Sequence, residues 1–369
     1  MSLNGLVNTN SSPANDSQSC WFVVDNMQMH RRYLLRALGC TATTAVLAGA
    51  LPKSAALLSA GRVPSSAKGD EAFPVTTVNH LALASANYAK SRDFYIDLFG
   101  MRVAWDDGKG CALEFGSPAA PNGLYIRPLT SGARATIGHI AFGTPNFRSR
   151  KAAMRIAMER WGLKNIHADG EMGWSCDDPA GYPLDIWVPE KDKAMFPGAA
   201  GPCRIAASPT CLAGWEAGQK NLSAIPKPGG KGFVATAYSF VILHVPDVAT
   251  ERDFYRDLLG MKVIYDPPAP KTSCFLSFGE NTLQLRETAD RGAKPYCNEF
   301  GFVVQNFDRT AVEGELRRRG LQPKTDSRLS WSITDPDGYQ IGVSAAGFSQ
   351  HIANDCRGSS ATCPGGTAG

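Results

Sequence analysis

Three side chains that can bind a metal ion lie in short apolar segments of the first half of the chain. His80 is in VNHLAL, His139 is in GHIAF and Asp185 is in PLDIWV. Each segment is typical of a β-strand. Two imidazoles and one carboxylate, if a fold brings them together, form the facial triad that suits non-haem Fe(II) and leaves coordination positions open. Taken singly, a histidine on a strand is more often a core or surface residue than a ligand.

The elements that must position these residues occur twice. SRDFYIDLFGMRVAWD (Ser91 to Asp106) returns 160 residues later as ERDFYRDLLGMKVIYD (Glu251 to Asp266), and ten of the sixteen positions are identical. WSCDDPAGY (Trp174 to Tyr182) likewise corresponds to WSITDPDGY (Trp331 to Tyr339). A period this long indicates a duplicated module rather than a solenoid repeat.

Each module divides into two half-units of a strand, a helix and further strands. In the first half-unit, Val78–Ala84 alternates as a strand, apolar residues at helical spacing predict a helix over Tyr88–Phe99, and Gly100 ends it. The second half-unit restarts at His139–Phe142 and continues with a helix over Arg150–Trp161. The sequence therefore predicts an α+β fold.

The paired βαβββ units, the FYxDLxGM motif after the first strand and the DPxGY motif before the last strand resemble the vicinal oxygen chelate superfamily. That group includes glyoxalase I, extradiol ring-cleaving dioxygenases, and fosfomycin and bleomycin resistance proteins. The resemblance covers roughly residues 75–190 and 237–346. It implies two tandem modules, each a cup-shaped mixed sheet, with metal-ligand positions on the first and fourth strands of each half-unit. The motifs are specific to the fold and not to one activity.

Carried over residue by residue, the resemblance implies a metal site of His80, His139 and Asp185 in the first module. The family usually has the longer Glu in place of Asp185, so the shorter arm would bind less well or through water. Fe(II) is favoured, with Mn, Zn and Ni as alternatives. Tyr125 takes a fourth-strand position and can donate a hydrogen bond to an oxyanion, while Arg127 on the same face can clamp a carboxylate or phenolate. A cup filled by aromatic side chains and a structural ion pair of Arg127 are the alternatives.

Other residues of the first module are weaker candidates. Trp174, Tyr182 and Trp187 are pocket candidates, but the core is favoured for Trp174 and for Trp105. His167 lies beyond the second predicted ligand and is expected in a loop or on a strand surface.

The second module lacks this ligand set. The residues at the positions of His80, Tyr125, His139 and Asp185 are, in that order, Phe240, Gln284, Glu299 and Gly342. Two oxygen donors without an imidazole make a poor transition-metal site, so we expect this module to be structural or to form a pocket wall. His244, on the same strand face as Phe240, is expected in the core or at the rim.

Composition suggests five parts of the chain. They are a leader and linker at 1–73, the first module with the metal site at 74–190, a Gly/Pro-rich linker at 191–236, the second module with a degenerate site at 237–346, and a flexible tail at 347–369.

The leader resembles a twin-arginine export signal of bacteria. Arg31-Arg32 precede an apolar segment, Ala37–Leu51, that is too short for a comfortable membrane span. We expect translation from Met27 or Met29, cleavage before Lys68, and export by the twin-arginine machinery to the periplasm. An amphipathic or disordered leader with a chance arginine pair is the alternative.

Cysteine usage and charge limit the remaining classes. Of ten cysteines, Cys203 with Cys211 and Cys356 with Cys363 could pair in an exported protein, or all four could stay free thiols. No CxxC pair occurs, so a zinc ribbon is not indicated. A net charge of +4, spread through both modules, gives no reason to expect nucleic acid as a partner. A monomer suffices because two modules in one chain mimic a dimer of single modules, but a homodimer remains open.

The three-ligand site favours an extradiol-type dioxygenase that chelates both oxygens of a small catechol-like substrate. Glyoxalase-type isomerisation in the family uses four protein ligands, and here Tyr125 stands at the fourth. Ring-cleaving relatives carry an acid/base histidine between the ligand histidines, whereas Ala82–Gly138 contains none. Tyr125 would then have to substitute, with His167 as the weaker alternative, or the reaction differs. A glyoxalase-like lyase or isomerase, and an exported protein that binds a small molecule without turnover, are the alternatives.

Overall fold

The computed structural model of the protein describes residues 72–106, 108–117, 121–130, 133–189, 232–267 and 272–355. The predicted export signal, its cleavage site, most of the linker and both predicted cysteine pairs lie outside the described residues. The cysteines that are described are buried free thiols, Cys111, Cys176, Cys274 and Cys297.

The described chain alternates strands and helices in the predicted order. The strands of the first module are β1 Thr77–Ser85, β2 Arg102–Asp106, β3 Cys111–Phe115, β4 Asn122–Pro128, β5 Ile137–Gly143, β6 Lys164–Asp169, β7 Gly173–Asp177 and β8 Pro183–Trp187. Those of the second module are β9 Ala235–Val245, β10 Lys262–Tyr265, β11 Ser273–Phe278, β12 Asn281–Glu287, β13 Tyr296–Val304, β14 Lys324–Ser327, β15 Ser330–Thr334 and β16 Gln340–Ser344. The helices are α1 Tyr88–Phe99, α2 Phe147–Arg160, α3 Val248–Asp257, α4 Arg309–Arg318 and α5 Phe348–Asp355.

Each module forms one eight-stranded mixed sheet. The strand order is β2-β3-β4-β1-β5-β8-β7-β6 in the first and β10-β11-β12-β9-β13-β16-β15-β14 in the second. Within each half-unit the first and fourth strands pair in parallel, as β1 with β4 and β5 with β8. The two half-units join where β1 and β5 run antiparallel at the centre of the sheet. The predicted α+β fold of two tandem modules is thereby confirmed.

Helix α1 shows why the repeated motif folds as it does. The Asn87 side chain accepts a hydrogen bond from the backbone N–H of Lys90 and caps the first turn. Gly100 ends the helix with φ 64°, and its N–H bonds the carbonyl of Ile96. The apolar face buries Tyr95 and its neighbours against the sheet. The predicted helix over Tyr88–Phe99 is confirmed at both ends.

The two modules pack against each other through their repeated motifs. The Tyr95 hydroxyl of α1 donates to Asp335 in the DPDGY turn of the second module, at 2.8 Å. The Tyr255 hydroxyl of α3 donates to Asp178 in the DPAGY turn of the first module, at 3.1 Å. The duplication therefore produces two related buried contacts across the module interface.

One pair of positions breaks this symmetry. Ser91 of α1 donates to Asp337 of the second-module turn. The corresponding residue of α3 is Glu251, which hydrogen-bonds Asp178 and faces Ala180, the counterpart of Asp337. The second carboxylate of each contact is thus Asp337 of the turn in one contact and Glu251 of the helix in the other.

The chain after Gly347 differs from the predicted flexible tail. Helix α5 begins at Phe348 and packs into the cup of the second module, where Phe348 and Ile352 are buried against Phe240 and Phe275. The tail prediction is therefore wrong for 348–355. Two apolar residues one helical turn apart, among polar neighbours, gain their stability from the cup they enter. None of the described helices is long and apolar enough to span a membrane.

Candidate metal centre

The strand register places the predicted ligands in adjoining rows on the concave face of the first sheet. His80 lies opposite Ala141, and Ala141 lies opposite Asp185, which forms one row across β1, β5 and β8. In the next row His139 lies opposite Ala82, which is itself paired with Tyr125. Because residues directly opposite each other in neighbouring strands share a face, all these side chains point into one cup.

The three predicted ligands converge on one point. The Nε2 atoms of His80 and His139 are 3.0 Å apart. Oδ2 of Asp185 lies 3.8 Å from Nε2 of His80 and 3.6 Å from Nε2 of His139. Among the described residues this is the group of three that could hold a metal ion. The structure therefore brings His80, His139 and Asp185 together.

The triangle of donor atoms fits a divalent ion. With metal–ligand bonds of about 2.0–2.2 Å, two donors at adjacent octahedral positions lie about 3 Å apart and tetrahedral ones about 3.5 Å apart. Asp185 is only 8% exposed, and among the described residues no lysine or arginine forms an ion pair with it. A buried carboxylate without a cation is unfavourable, so the donor set matches a bound cation. The aspartate side chain, although shorter than glutamate, brings its carboxylate oxygen close enough to both histidine nitrogens to share one ion.

Asn79 fixes the protonation of His80, and the sequence analysis missed it. Nδ1 of His80 lies 2.9 Å from Oδ1 of Asn79, whose amide nitrogen donates to the carbonyl of Val188. Because the Asn79 oxygen can only accept, Nδ1 of His80 carries the proton and Nε2 keeps its lone pair for a metal. Asn79 and His80 are both 1% exposed, so water does not compete for this contact.

Two aromatic rings flank His80. The Tyr125 ring stacks on it with centroids 4.3 Å apart, and the Trp187 ring meets it edge-on at 5.2 Å. Gly173 has no side chain, and the Trp187 indole fills that space. Burial raises the pKa of Tyr125 well above its usual range, so its hydroxyl stays protonated at neutral pH. His139 is the open member of the triad, with 32% of its side chain exposed.

Small residues form the bottom of the cup beside the triad. Ala82, Ala112 and Tyr125 form a buried cluster against which Ala104 and Trp105 pack. Trp105 was expected in the core. It lies instead in the cup, with the guanidinium of the exposed Arg127 5.2 Å from its ring centroid.

In the second module the equivalent cup is filled. Ile242 and Phe275 occupy the positions of Ala82 and Ala112, and α5 packs on them. The Phe240 ring lies over Gly301 and Gly342, so the space of two predicted ligand positions is taken by one apolar side chain. This arrangement agrees with the expected structural role of the module.

The cup of the second module contains an internal cation instead of a set of metal ligands. The guanidinium of Arg286 donates to Glu299 at 3.1 Å and to Gln284 at 3.3 Å. Nε2 of His244 lies 3.4 Å from the same Glu299 oxygen. Burial raises the pKa of Glu299, but the hydrogen bond from His244 and the charge of Arg286 outweigh it, so that pKa lies below its ordinary value. His244 is thus a buried member of this polar cluster.

The remaining candidates lie away from the triad. Trp174 is buried in the main core with its indole N–H bonded to the carbonyl of Lys151, and the Tyr182 hydroxyl bonds the carbonyl of Ile137. The core position favoured for Trp174 is confirmed, and Tyr182 is wrong as a pocket residue. His167 lies on the edge strand β6, exposed, in the row that continues through Ser175 to Asp185.

The fold and site can be compared with known proteins. A family model described as the Glyoxalase/Bleomycin resistance protein/Dioxygenase superfamily matches residues 77–186. The match covers the first module, and the resemblance predicted from the motifs is confirmed there. No curated protein matches the sequence of the chain.

Solved structures of similar fold include dioxygenases. Homoprotocatechuate 2,3-dioxygenase from Arthrobacter globiformis is 15% identical, with a TM-score of 0.53 over 74% of this chain and 80% of that one. The 2,3-dioxygenase LapB from Pseudomonas sp. KL28 is 12% identical, with a TM-score of 0.55 over 74% and 94%. An extradiol ring-cleaving dioxygenase from B. fuscum is 16% identical, with a TM-score of 0.52 over 75% and 74%. At these identities the likeness is one of fold.

Proposed function

We propose that the protein is a divalent-metal-dependent dioxygenase of the extradiol type that acts on a small catechol-like substrate, with Fe(II) as the favoured metal. The observation that carries the proposal is the triangle of two imidazole nitrogens and one carboxylate oxygen in a cup with one exposed edge. Three protein donors leave open positions for two substrate oxygens and for O2. The dioxygenase neighbours of the same fold support the choice.

The chain's own groups have separable tasks. His80, His139 and Asp185 would hold the ion, which when bound supplies a Lewis acid that lowers the pKa of a chelated hydroxyl. Tyr125 and Trp187 exclude water from the His80 side of the site. The protonated Tyr125 hydroxyl would donate a hydrogen bond to a substrate oxyanion, because its raised pKa opposes loss of the proton.

A protonated Tyr125 cannot also accept the substrate proton. His167 is the described histidine of the first module that remains for this task. Its Nδ1 lies 2.7 Å from the backbone carbonyl oxygen of Asn165, which can only accept, so the proton is on Nδ1 and the lone pair is on Nε2. His167 shares a row of the sheet with Ser175 and Asp185. Because β6 lies two strands beyond β8, proton transfer from the substrate to Nε2 of His167 through water is the step we propose.

The test is the metal content of protein purified anaerobically, followed by O2 uptake with a panel of catechols. His139→Ala removes a half-exposed ligand and should lose the metal while staying folded. His244→Ala removes a histidine of the second module and is the matched control that should keep it. Near-stoichiometric iron, ring-cleaved product and one O2 consumed per catechol would support the proposal. Zinc, nickel or manganese with O2-independent turnover would indicate a lyase or isomerase, and no metal in any variant would leave a binding protein.

We also propose export of the protein to the bacterial periplasm through the twin-arginine machinery, as a monomer or homodimer. The Arg31-Arg32 pair and the apolar segment after it support this proposal. Replacement of both arginines by lysine should retain the protein in the cytoplasmic fraction. Periplasmic delivery of that variant would contradict the proposal.

A further inference from the structure

The duplicated modules carry an arginine at the same position of the fourth strand. Arg127 in β4 follows Tyr125 by two residues, and Arg286 in β12 follows Gln284 by two. Both therefore point into the cup of their own module. The comparison shows what each guanidinium does there.

Arg286 is bound within its own module. It contacts Glu299 at 3.1 Å and Gln284 at 3.3 Å. In the first module the residue at the position of Glu299 is His139, a member of the candidate triad. The change from Glu to His thus supplies a metal ligand and removes the acidic partner of the arginine in the same step.

Arg127 accordingly lacks an acidic partner. No carboxylate among the described residues forms an ion pair with it, and its side chain is exposed. The guanidinium lies over the Trp105 ring, 5.2 Å from its centroid. Stacking on an aromatic ring leaves the donor edge of a guanidinium available and limits the orientations it adopts. Arg127 is therefore an oriented cation whose N–H groups can bind an anion.

The position of Arg127 relates this cation to the metal centre. Tyr125 lies in the row of His139, and Arg127 lies one step further along the same strand face, roughly 7 Å away at a rise of about 3.3 Å per residue. Ala82 and Ala112 lie beside Tyr125 at the bottom of the cup, and Trp105 packs against this cluster. A ring chelated at the triad would thus extend over small apolar residues towards the guanidinium.

We infer that Arg127 anchors a carboxylate carried by the substrate ring, so that the preferred substrates are catechols with an acidic substituent. A planar guanidinium binds a carboxylate through two parallel hydrogen bonds. Trp105 acts as the positioning residue beneath it. This inference rests on the proposed function, because the metal site defines where the ring lies.

The test compares 3,4-dihydroxybenzoate with 4-methylcatechol, which have the same chelating oxygens and differ in the acidic group. Binding to the metal-loaded protein is measured anaerobically by calorimetric titration, and turnover is measured separately by O2 uptake. The variant is Arg127→Gln. The matched control is Arg134→Gln, since Arg134 is also exposed and lies 5.4 Å over an aromatic ring, that of Tyr296 in the second module.

We expect Arg127→Gln to weaken binding of the acid roughly tenfold to a hundredfold, the usual effect of losing a charged hydrogen-bond pair, and to leave 4-methylcatechol unchanged. Arg134→Gln should change neither. Arg127→Lys keeps the charge but not the paired geometry, so it should recover only part of the affinity. Unchanged metal content in all variants shows that the effect is on the substrate.

The outcomes separate the inference from the proposed function. Turnover of both catechols with equal affinity in the unchanged protein, or an equal loss for both in Arg127→Gln, would overturn the inference while the dioxygenase proposal stands. Arg127-dependent binding of the acid without O2 uptake would support the anchor and refute the dioxygenase. Absence of binding by either compound would overturn both.

Discussion

Glu251 should make the stability of the protein depend on pH. Its carboxyl group is 1% exposed and hydrogen-bonds Asp178, which is 3% exposed. Burial and the charge of Asp178 raise the pKa of Glu251 well above its usual range, so the folded protein keeps this proton to a higher pH than the unfolded chain does. Burial also raises the pKa of Asp178, to about 6, against the hydrogen bonds from Tyr182 and Tyr255.

The direction and the size of the change in the free energy of unfolding with pH follow from the number of protons bound in the folded and unfolded states. Above pH 4.5 the unfolded chain releases the Glu251 proton whereas the folded protein retains it, so the free energy of unfolding falls as pH rises. One retained proton corresponds to about 1.4 kcal/mol per pH unit, so the loss of stability between pH 5 and pH 7 is at most about 3 kcal/mol. Glu251→Gln has the same shape, holds no titratable proton and donates from its amide to Asp178, so this slope should disappear.

Urea unfolding followed by circular dichroism at pH 5, 6 and 7 measures the effect. Relative to the unchanged protein, the free energy of unfolding of Glu251→Gln should rise with pH, by up to about 3 kcal/mol between pH 5 and pH 7. Glu171→Gln is the control, because that side chain is 85% exposed and should leave the pH profile unchanged. Parallel profiles for the unchanged protein and Glu251→Gln would refute the reasoning, since they would mean that Glu251 is ionised in the folded state.

Three further changes test the site and the second module. Asn79→Ala frees the His80 ring and should lower metal affinity roughly tenfold to a hundredfold in a chelator competition assay. Ala82→Ile introduces the second-module residue beside Tyr125 and should abolish catechol binding in calorimetric titration, at a cost of about 1–3 kcal/mol in stability, while metal content is retained. Ile352→Ala removes a fully buried contact of α5 and should lower the free energy of unfolding by roughly 2–5 kcal/mol in urea, without loss of metal.

The sequence predicted the features that follow from local pattern or from repetition. The helix over Tyr88–Phe99 has apolar residues at helical spacing, a side-chain cap and a stop glycine, so both of its ends agree with the structure. The meeting of His80, His139 and Asp185 required only the family's strand positions and the two-residue period of a strand.

The features that the sequence did not predict depend on residues that are distant in the chain or on the rotamers of neighbouring side chains. Helix α5 has two anchoring residues, and nothing local shows that an apolar cup receives them. Trp174 lies in the core, as the sequence favoured, because its neighbour Ser175 is the residue opposite Asp185. That alternation was available from the sequence, whereas the tautomer set by Asn79 needed the rotamers of two side chains.

At the module interface one carboxylate is on the helix in one contact, Glu251, and on the turn in the other, Asp337. This difference determines which modules can associate. Two copies of the second module, docked as the modules are here, would bring Glu251 against Asp337, so that each contact would bury two acids already next to a third. Two copies of the first would bring Ser91 against Ala180 and lose the hydrogen bond to Asp337 altogether. Only the unlike pairing adds one further carboxylate, Asp337 or Glu251, to the aspartate that each turn already carries. The interface surfaces of the two modules have thus become complementary to each other and not to themselves. Separately produced first and second modules should therefore form a mixed pair in preference to pairs of like modules.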